Sequence, residues 1–352
     1  MTIFVGHSTP IPMVAADPPF PAPRPCRPDR RDFLLGALAL AATPARAAAG
    51  VIEHVWGTLD LSAPARRVVS LGYTSHDTLL ALGVVPVAVR YWYGPGETGV
   101  WPWAEPLLDG AKPLVLRGEV SMEQVAALSP DLIVAIGSGI THAEYTVLSR
   151  IAPTLMQPAG QSAFSTPWDL ATRMMGRATG REPQAEALIE GVRRRFAQAA
   201  ARNPHWAGQS GAAAYHWAGT SGVFLPGDGR AEFLSVLGFA VPDRIAALAG
   251  NGLFFADLSP EDLSPLDADV LVWISFQDTD PDLAALPMRR TLRAWQQGRE
   301  VFAGPLLAGA MAHASVLSMP FALDALEADL AAAADGDPAT PVASAVAAGL
   351  AG

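Results

Sequence analysis

Ser121-Met-Glu123-Gln-Val-Ala-Ala-Leu128-Ser-Pro-Asp131-Leu-Ile-Val134 returns later in the chain as Ser259-Pro-Glu261-Asp-Leu-Ser-Pro-Leu266-Asp-Ala-Asp269-Val-Leu-Val272. The two stretches align without a gap on Ser, Glu, Leu, Asp and Val, and aliphatic residues match aliphatic residues between them. In each, a serine-led segment followed by a short aliphatic run predicts a short helix feeding a buried strand. The same unit in both halves predicts two similar lobes. Each lobe then offers one glutamate, Glu123 or Glu261, two positions after a serine. A carboxylate in a first helical turn gains about 0.3–1 kcal/mol from the helix dipole and stays solvated. Stability alone does not require both lobes to use the same offset.

Outward from this repeat, strands and short helices alternate. Val68–Leu71, Val84–Val89 and Leu132–Ile136 read as strands, and Asp77–Leu82, Glu123–Leu128 and Tyr145–Ile151 as helices. That alternation argues for a parallel α/β lobe. A longer helix follows, with Pro183 suited to its first turn and Ala185, Leu188, Ile189, Val192, Phe196 and Ala199 on one apolar face until Asn203-Pro204 stops it. Beyond it the alternation restarts, with strands at Ala212–Trp217, Val223–Leu225 and Val270–Phe276 and helices at Ala231–Leu237 and Phe321–Ala333. The expected fold is therefore α/β: two similar lobes, each with a central parallel sheet, joined by one long helix. The expected boundaries are 50–180 for the first lobe, 181–203 for the linking helix and 204–335 for the second lobe. The Ala/Gly/Pro-rich residues 336–352 are expected to form a flexible tail.

The N-terminus has a different character. Arg30-Arg31-Asp32-Phe33-Leu34-Leu35 opens the apolar run Gly36–Ala42, which closes in Thr43-Pro-Ala-Arg-Ala-Ala-Ala49. A twin arginine, a short apolar run and an Ala-x-Ala ending read as a Tat-type signal peptide over residues 1–49, too short to span a membrane. The sole cysteine, Cys26, precedes the apolar run, so a soluble, thiol-free periplasmic protein is expected. Residues 1–49 carry five arginines and three aspartates, and their removal takes the formal charge from −10 to −12. So acidic a chain is a poor nucleic-acid binder. Half of the residues are hydrophobic, enough for a large core in each lobe.

Two α/β lobes on one long helix, behind an export signal, resemble the helix-linked periplasmic substrate-binding proteins of ABC importers, in particular the iron–siderophore and cobalamin group. The resemblance covers about Val51 to Ala334. It rests on the Arg67-Val-Val-Ser-Leu-Gly-Tyr-Thr-Ser-His-Asp-Thr-Leu-Leu-Ala-Leu-Gly83 stretch running on to Arg90, on the Met122–Val134 block, on Leu148-Ser-Arg-Ile-Ala-Pro153-Thr, and on Leu286-Pro-Met-Arg-Arg-Thr-Leu-Arg-Ala-Trp295. It implies a ligand cleft between the lobes, a ferric siderophore as ligand, and a monomer that docks on ABC permease subunits. In that family a glutamate from each lobe enters an arginine pocket of the permease, and the positions carry over onto Glu123 and Glu261. No cofactor is implied, because the ligand brings its own Fe(III), and no enzymatic activity. Haem or cobalamin is the alternative ligand. The resemblance also implies little lobe motion on binding, since the connecting helix is stiff.

For the cleft itself, Arg117 stands six residues before Glu123, the interval that separates the ligand-binding arginine from the docking glutamate in relatives carrying hydroxamate siderophores. A ferric siderophore needs donors and apolar walls rather than metal ligands, which an Arg fork supplies. Arg90-Tyr91-Trp92-Tyr93, with Trp101 and Trp103 beyond, places aromatics beside an arginine in a Gly/Pro loop, a composition suited to a cleft wall. The second lobe could contribute Trp217, Phe254, Phe255, Trp273, and Arg289 or Arg290.

Other motifs point nowhere. Gly94-Pro-Gly96-Glu-Thr-Gly99 fits a dinucleotide fingerprint as a string, but the following Val-Trp-Pro-Trp cannot open the helix that a pyrophosphate needs. Ser75-His76-Asp77 has catalytic residue types, yet sequence neighbours cannot form a relay, and no G-x-S-x-G elbow accompanies it. A hydrolase is thereby disfavoured. His54, His76, His142, His216 and His313 are scattered, without an i,i+4 pair, which leaves a bare zinc or manganese site as a minor alternative.

Overall fold

The computed structural model describes residues 49–94, 96–250 and 253–350. The proposed signal segment, with Cys26, lies outside the described residues, apart from Ala49. The chain enters through an antiparallel hairpin, β1 (Ala49–His54) and β2 (Gly57–Leu61). The first lobe follows, with β3 (Val68–Ser70), β4 (Ala88–Arg90), β5 (Leu114–Leu116), β6 (Leu132–Val134) and β7 (Thr154–Leu155). Their order is β5-β4-β3-β6-β7 and every pairing is parallel. Such a sheet is covered on both faces, and Leu132, Ile133 and Val134 are accordingly all buried.

The second lobe holds β8 (Gly211–Trp217), β9 (Thr220–Phe224), β10 (Phe255–Leu258), β11 (Val270–Ile274) and β12 (Glu300–Ala303), in the order β10-β9-β8-β11-β12. Here β8, β11 and β12 pair in parallel while β9 pairs antiparallel with both β8 and β10, so this sheet is mixed rather than wholly parallel. The cause is local. Ala218 and Gly219 alone join β8 to β9, with φ of 50° and 80°, and a two-residue turn with both central φ positive can only reverse the chain.

The repeat that opened the sequence works at its ends and differs in its middle. Asp131 accepts the backbone N–H groups of Arg66 and Arg67 just before β3, and Asp269 accepts the N–H and hydroxyl of Ser210 just before β8. Each carboxylate thus seats the neighbouring strand beside its own. The helix expected in both copies forms in the first, Met122–Ala127, capped by Ser121. In the second, Pro265 replaces Ala127 and removes a backbone donor, so Glu261 sits in a turn followed by a 3₁₀ segment, Ser264–Leu266.

The linking helix spans Glu182–Arg202. Its Ala185 belongs to the first lobe's core and its Val192, Phe196 and Ala199 to the second's, while Leu188 packs against both. Residues 336–352, expected to form a flexible tail, are instead docked over most of their length. Val342, Ala345, Ala348 and Leu350 are buried in the second core around a short helix, Ala343–Ala347, and Ser344 Oγ accepts the Phe302 N–H of β12. The alanine-rich composition concealed an apolar face. Among the described residues, no helix is long and apolar enough to cross a membrane.

Candidate ligand cleft

In open α/β sheets, ligands meet the protein beyond the carboxyl ends of the strands. At that edge of the first sheet stand Tyr73 after β3, Arg90 ending β4, Tyr91–Tyr93 beyond it, Arg117 after β5 and Ser138 after β6. The Arg90 guanidinium lies 4.5 Å from the Tyr73 ring centre, and its Nη1 donates to the Ser138 carbonyl at 2.8 Å. Trp92 packs on Tyr73 at 5.6 Å and on Tyr93 at 4.4 Å, and Phe164 stacks on Tyr73 at 6.3 Å. Arg117 is exposed and lies over the Tyr91 ring at 4.0 Å.

The second lobe presents Tyr215 and Trp217 at the end of β8 and Phe276 just beyond β11. Trp217 meets Phe276 at 5.7 Å, and Phe276 meets Tyr93 of the first lobe at 5.6 Å. One aromatic wall therefore runs across both lobes. It is wet on one side: Trp92, Trp217 and Phe276 keep 40, 64 and 45% of their surface exposed. Apolar area left open in so continuous a patch marks a binding surface. Below it, Arg230 is held bidentate by Asp228, at 2.7 Å for each contact, and rests 3.7 Å from the Phe224 ring centre. Tyr215 donates its hydroxyl to Asp257 at 2.6 Å. Burial pushes the Tyr93 phenol up to about 12, so it is a donor at neutral pH. Burial, and then the bond to Asp257, raise Tyr215 as well.

Under the wall the lobes are joined by buried polar groups. Asp77 Oδ2 accepts Trp103 Nε1–H at 2.7 Å and the Ser315 hydroxyl at 2.6 Å, a contact between lobes. His313 packs against Trp92, Trp101 and Trp103 with centroid distances of 5.3–5.6 Å and lies 6.0 Å from His76. Its Nδ1 must carry the proton, because its partner at 3.0 Å is the Gly309 carbonyl. Trp101 fits there only because residue 309 is glycine: a Cβ would meet the indole at 2.4 Å.

Of the residues singled out from sequence, Arg90, Trp92, Tyr93 and Trp217 come together on this wall, and Arg117 stands on the same strand-end edge. Trp273 does not belong to it. It is fully buried, with Nε1–H donating to Glu300 at 2.7 Å, and the Arg289 guanidinium occupies the same carboxylate at 2.7–2.8 Å. Both are core residues: Trp273 sits on the central strand β11, and Arg289 is drawn inward from the 3₁₀ segment Pro287–Thr291 by its pairing with Glu300. Arg290 is exposed, and Phe254 and Phe255 sit at the β10 edge, with Phe255 6.2 Å from Tyr215. Trp101 and Trp103 form the floor rather than the wall. Sequence reasoning missed Tyr73, Phe164, Phe276, the Asp228–Arg230 pair and the Asp77–Ser315 bond. The last had no local signal, since its members lie 238 positions apart. Glu123 and Glu261 are both exposed, and Ser121 donates to Glu123 at 3.1 Å. Among the described residues, no group of three or more His, Cys, Asp or Glu side chains is arranged to hold a metal.

A sequence model of the family described as "Periplasmic binding protein" matches residues 68–304. The chain is 26% identical over 235 residues to the probable siderophore-binding lipoprotein YfiY of Bacillus subtilis, covering 64% of this chain and 69% of that protein. It is 30% identical over 173 residues to the Fe(3+) dicitrate-binding periplasmic protein FecB of Escherichia coli, a match spanning 49% of this chain and 55% of FecB. A periplasmic solute binding protein from Mycobacterium smegmatis superimposes with a TM-score of 0.72 at 35% identity, covering 81% of this chain and 98% of that one.

Proposed function

The chain belongs to the periplasmic binding protein family, and from that premise we propose that it captures a ferric siderophore between its lobes and hands it to an ABC permease for iron uptake. The observation that carries this is the aromatic wall running from Trp92 and Tyr93 across to Phe276 and Trp217, with Arg90 beside it. A coordinatively complete ferric complex offers ligand-shell oxygens and apolar flanks, which an Arg fork, a phenol donor and open rings can receive. The protein is then a carrier rather than an enzyme, working in the periplasm. Glu123 and Glu261 serve as its permease contacts. Haem, the alternative, would want an axial ligand, and His313, which packs against the wall, is buried.

Tryptophan fluorescence tests the reading. Ferric siderophores bound against Trp92 and Trp217 should quench emission saturably, whereas haemin and cobalamin should not. A Soret shift with haemin and no response to any ferric siderophore would replace iron–siderophore transport with haem transport.

A further inference from the structure

The two sides of the cleft differ in charge. At the strand-end edge of the first lobe, Arg90 and Arg117 have no carboxylate partner among the described residues, so both guanidinium groups remain available to anionic oxygens of a ligand. The second lobe is built the other way. Its Arg230 is already held by Asp228 through two bonds of 2.7 Å, and beyond that pair Asp257 stands exposed on the edge strand β10 with no cation against it among the described residues. What does reach Asp257 is Tyr215. Across the sheet, Tyr215 of β8 lies opposite Gly222 of β9, and Gly222 opposite Asp257. The phenol can cross the middle strand because residue 222 has no side chain: a Cβ there would meet Tyr215 Cζ and Oη at 2.2 Å. The hydroxyl donates to Asp257 Oδ1 at 2.6 Å, and burial followed by that bond keeps the proton on the phenol. The Tyr215 oxygen and Asp257 Oδ2 are thereby left as neighbouring acceptors with no further donor among the described residues. Beside them Phe255, two positions along β10 from Asp257, has its ring centre 6.2 Å from that of Tyr215 and stays 36% exposed.

We infer that Tyr215 and Asp257 form a subsite for a protonated amine, and that the ferric complex this protein carries has an alkylammonium arm which lies there while its anionic oxygens face Arg90 and Arg117. The inference rests on the ferric-siderophore reading and specifies one substituent of its ligand. An ammonium group is donor-only, and a carboxylate oxygen beside a phenol oxygen accepts two of its N–H groups at once. The open rings of Phe255 and of Trp217, which follows Tyr215 on the same face of β8, carry the negative side of the aromatic quadrupole and so favour a cation next to them. An alkylamine keeps its proton at neutral pH, so the arm arrives charged.

The experiment compares two ferric complexes that differ only in this arm: ferrioxamine B, whose terminal amine is protonated, and its N-acetylated form, in which the charge is gone. Fluorescence titration of wild type should show the amine form bound at least about fivefold more tightly, with the ratio shrinking toward equality as ionic strength rises. Asp257→Asn keeps an oxygen for the Tyr215 hydroxyl and removes the charge, and it should bring the two affinities within about twofold of each other. Should that variant fail to fold, Asp257→Ser removes the same charge from this exposed position and should give the same result. Equal affinities in wild type, or a ratio that persists in a folded Asp257 variant, would overturn the ammonium subsite while leaving the siderophore reading intact. A protein that binds neither form yet responds to other ferric siderophores overturns the subsite in the same way, and one that responds to no ferric complex overturns both.

Discussion

Asp77 holds donors from opposite lobes on a single oxygen, and that makes it the residue whose loss is most readily measured. Asp77→Ala strands the Trp103 indole N–H and the Ser315 hydroxyl in a buried space and should cost about 1.5–3 kcal/mol, read by denaturant unfolding; Ser315→Ala should cost about 1 kcal/mol. An Asp77→Ala protein as stable as wild type would mean that the contact between lobes is held elsewhere. His313 adds a pH dependence. Burial, outweighing Asp77, pushes its imidazole down to about 4, while the unfolded chain takes up a proton at the ordinary 6.5. Stability should therefore be complete above about pH 6.5 and fall as pH drops toward 4, at up to about 1.4 kcal/mol per pH unit. His76, lowered by the same burial, adds to the slope. Melting curves of His313→Gln should be flatter over that window, and an unchanged pH profile would remove His313 from the account. At this scale the sequence was readable where a residue type was odd for its surroundings. Trp92 and Tyr93 lie, just beyond Arg90, in a Gly/Pro loop that cannot bury them in a regular core. Trp273 and Trp217 could not be told apart that way, since both belong to strands, and only the packing of the second sheet sends one inward to Glu300 and the other out.

Between elements, the duplicated stretch transmitted most of its content. Its aliphatic triplets became buried strands and its aspartates became the caps that set β6 beside β3 and β11 beside β8. What it could not convey was the effect of Pro265 on the second helix and of the Ala218-Gly219 turn on strand direction. Both are local backbone effects of one or two residues, and the turn lies outside the fourteen-residue stretch altogether. The glutamates survive that difference, exposed in each lobe. Reversing either charge should oppose a cationic permease pocket and leave the cleft untouched. Glu123→Arg and Glu261→Arg should each depress iron uptake strongly in cells with siderophore affinity unchanged in vitro. Normal uptake by both would reduce the repeat to architecture.

The lobes are tied through several contacts, among them Leu188, which packs on both cores, the Asp77–Ser315 bond, His313 against Trp101 and Trp103, and Tyr93 against Phe276. The helix Glu182–Arg202 is also fastened to the helix Ser318–Ala334 by Arg195–Asp324 and Arg202–Glu327 pairs. The long helix was legible because six apolar positions at helical spacing, from Ala185 to Ala199, outvote any single exception. The docked C-terminal segment was not, because alanine marks a buried face as weakly as it marks a tail. Ties of this kind bear on timing. A carrier whose halves are already assembled has no closing motion to wait for, so stopped-flow traces should stay single-exponential with a rate that climbs linearly with siderophore concentration, and a plateau would expose a slow rearrangement. The same ties are expected to leave the carrier little opening motion of its own with which to let go. Under the proposed hand-over, unloading at a useful speed becomes work done on the carrier from outside: a permease would have to prise the two halves apart, and the dwell time of the cargo would follow the transporter's cycle rather than the strength of the grip.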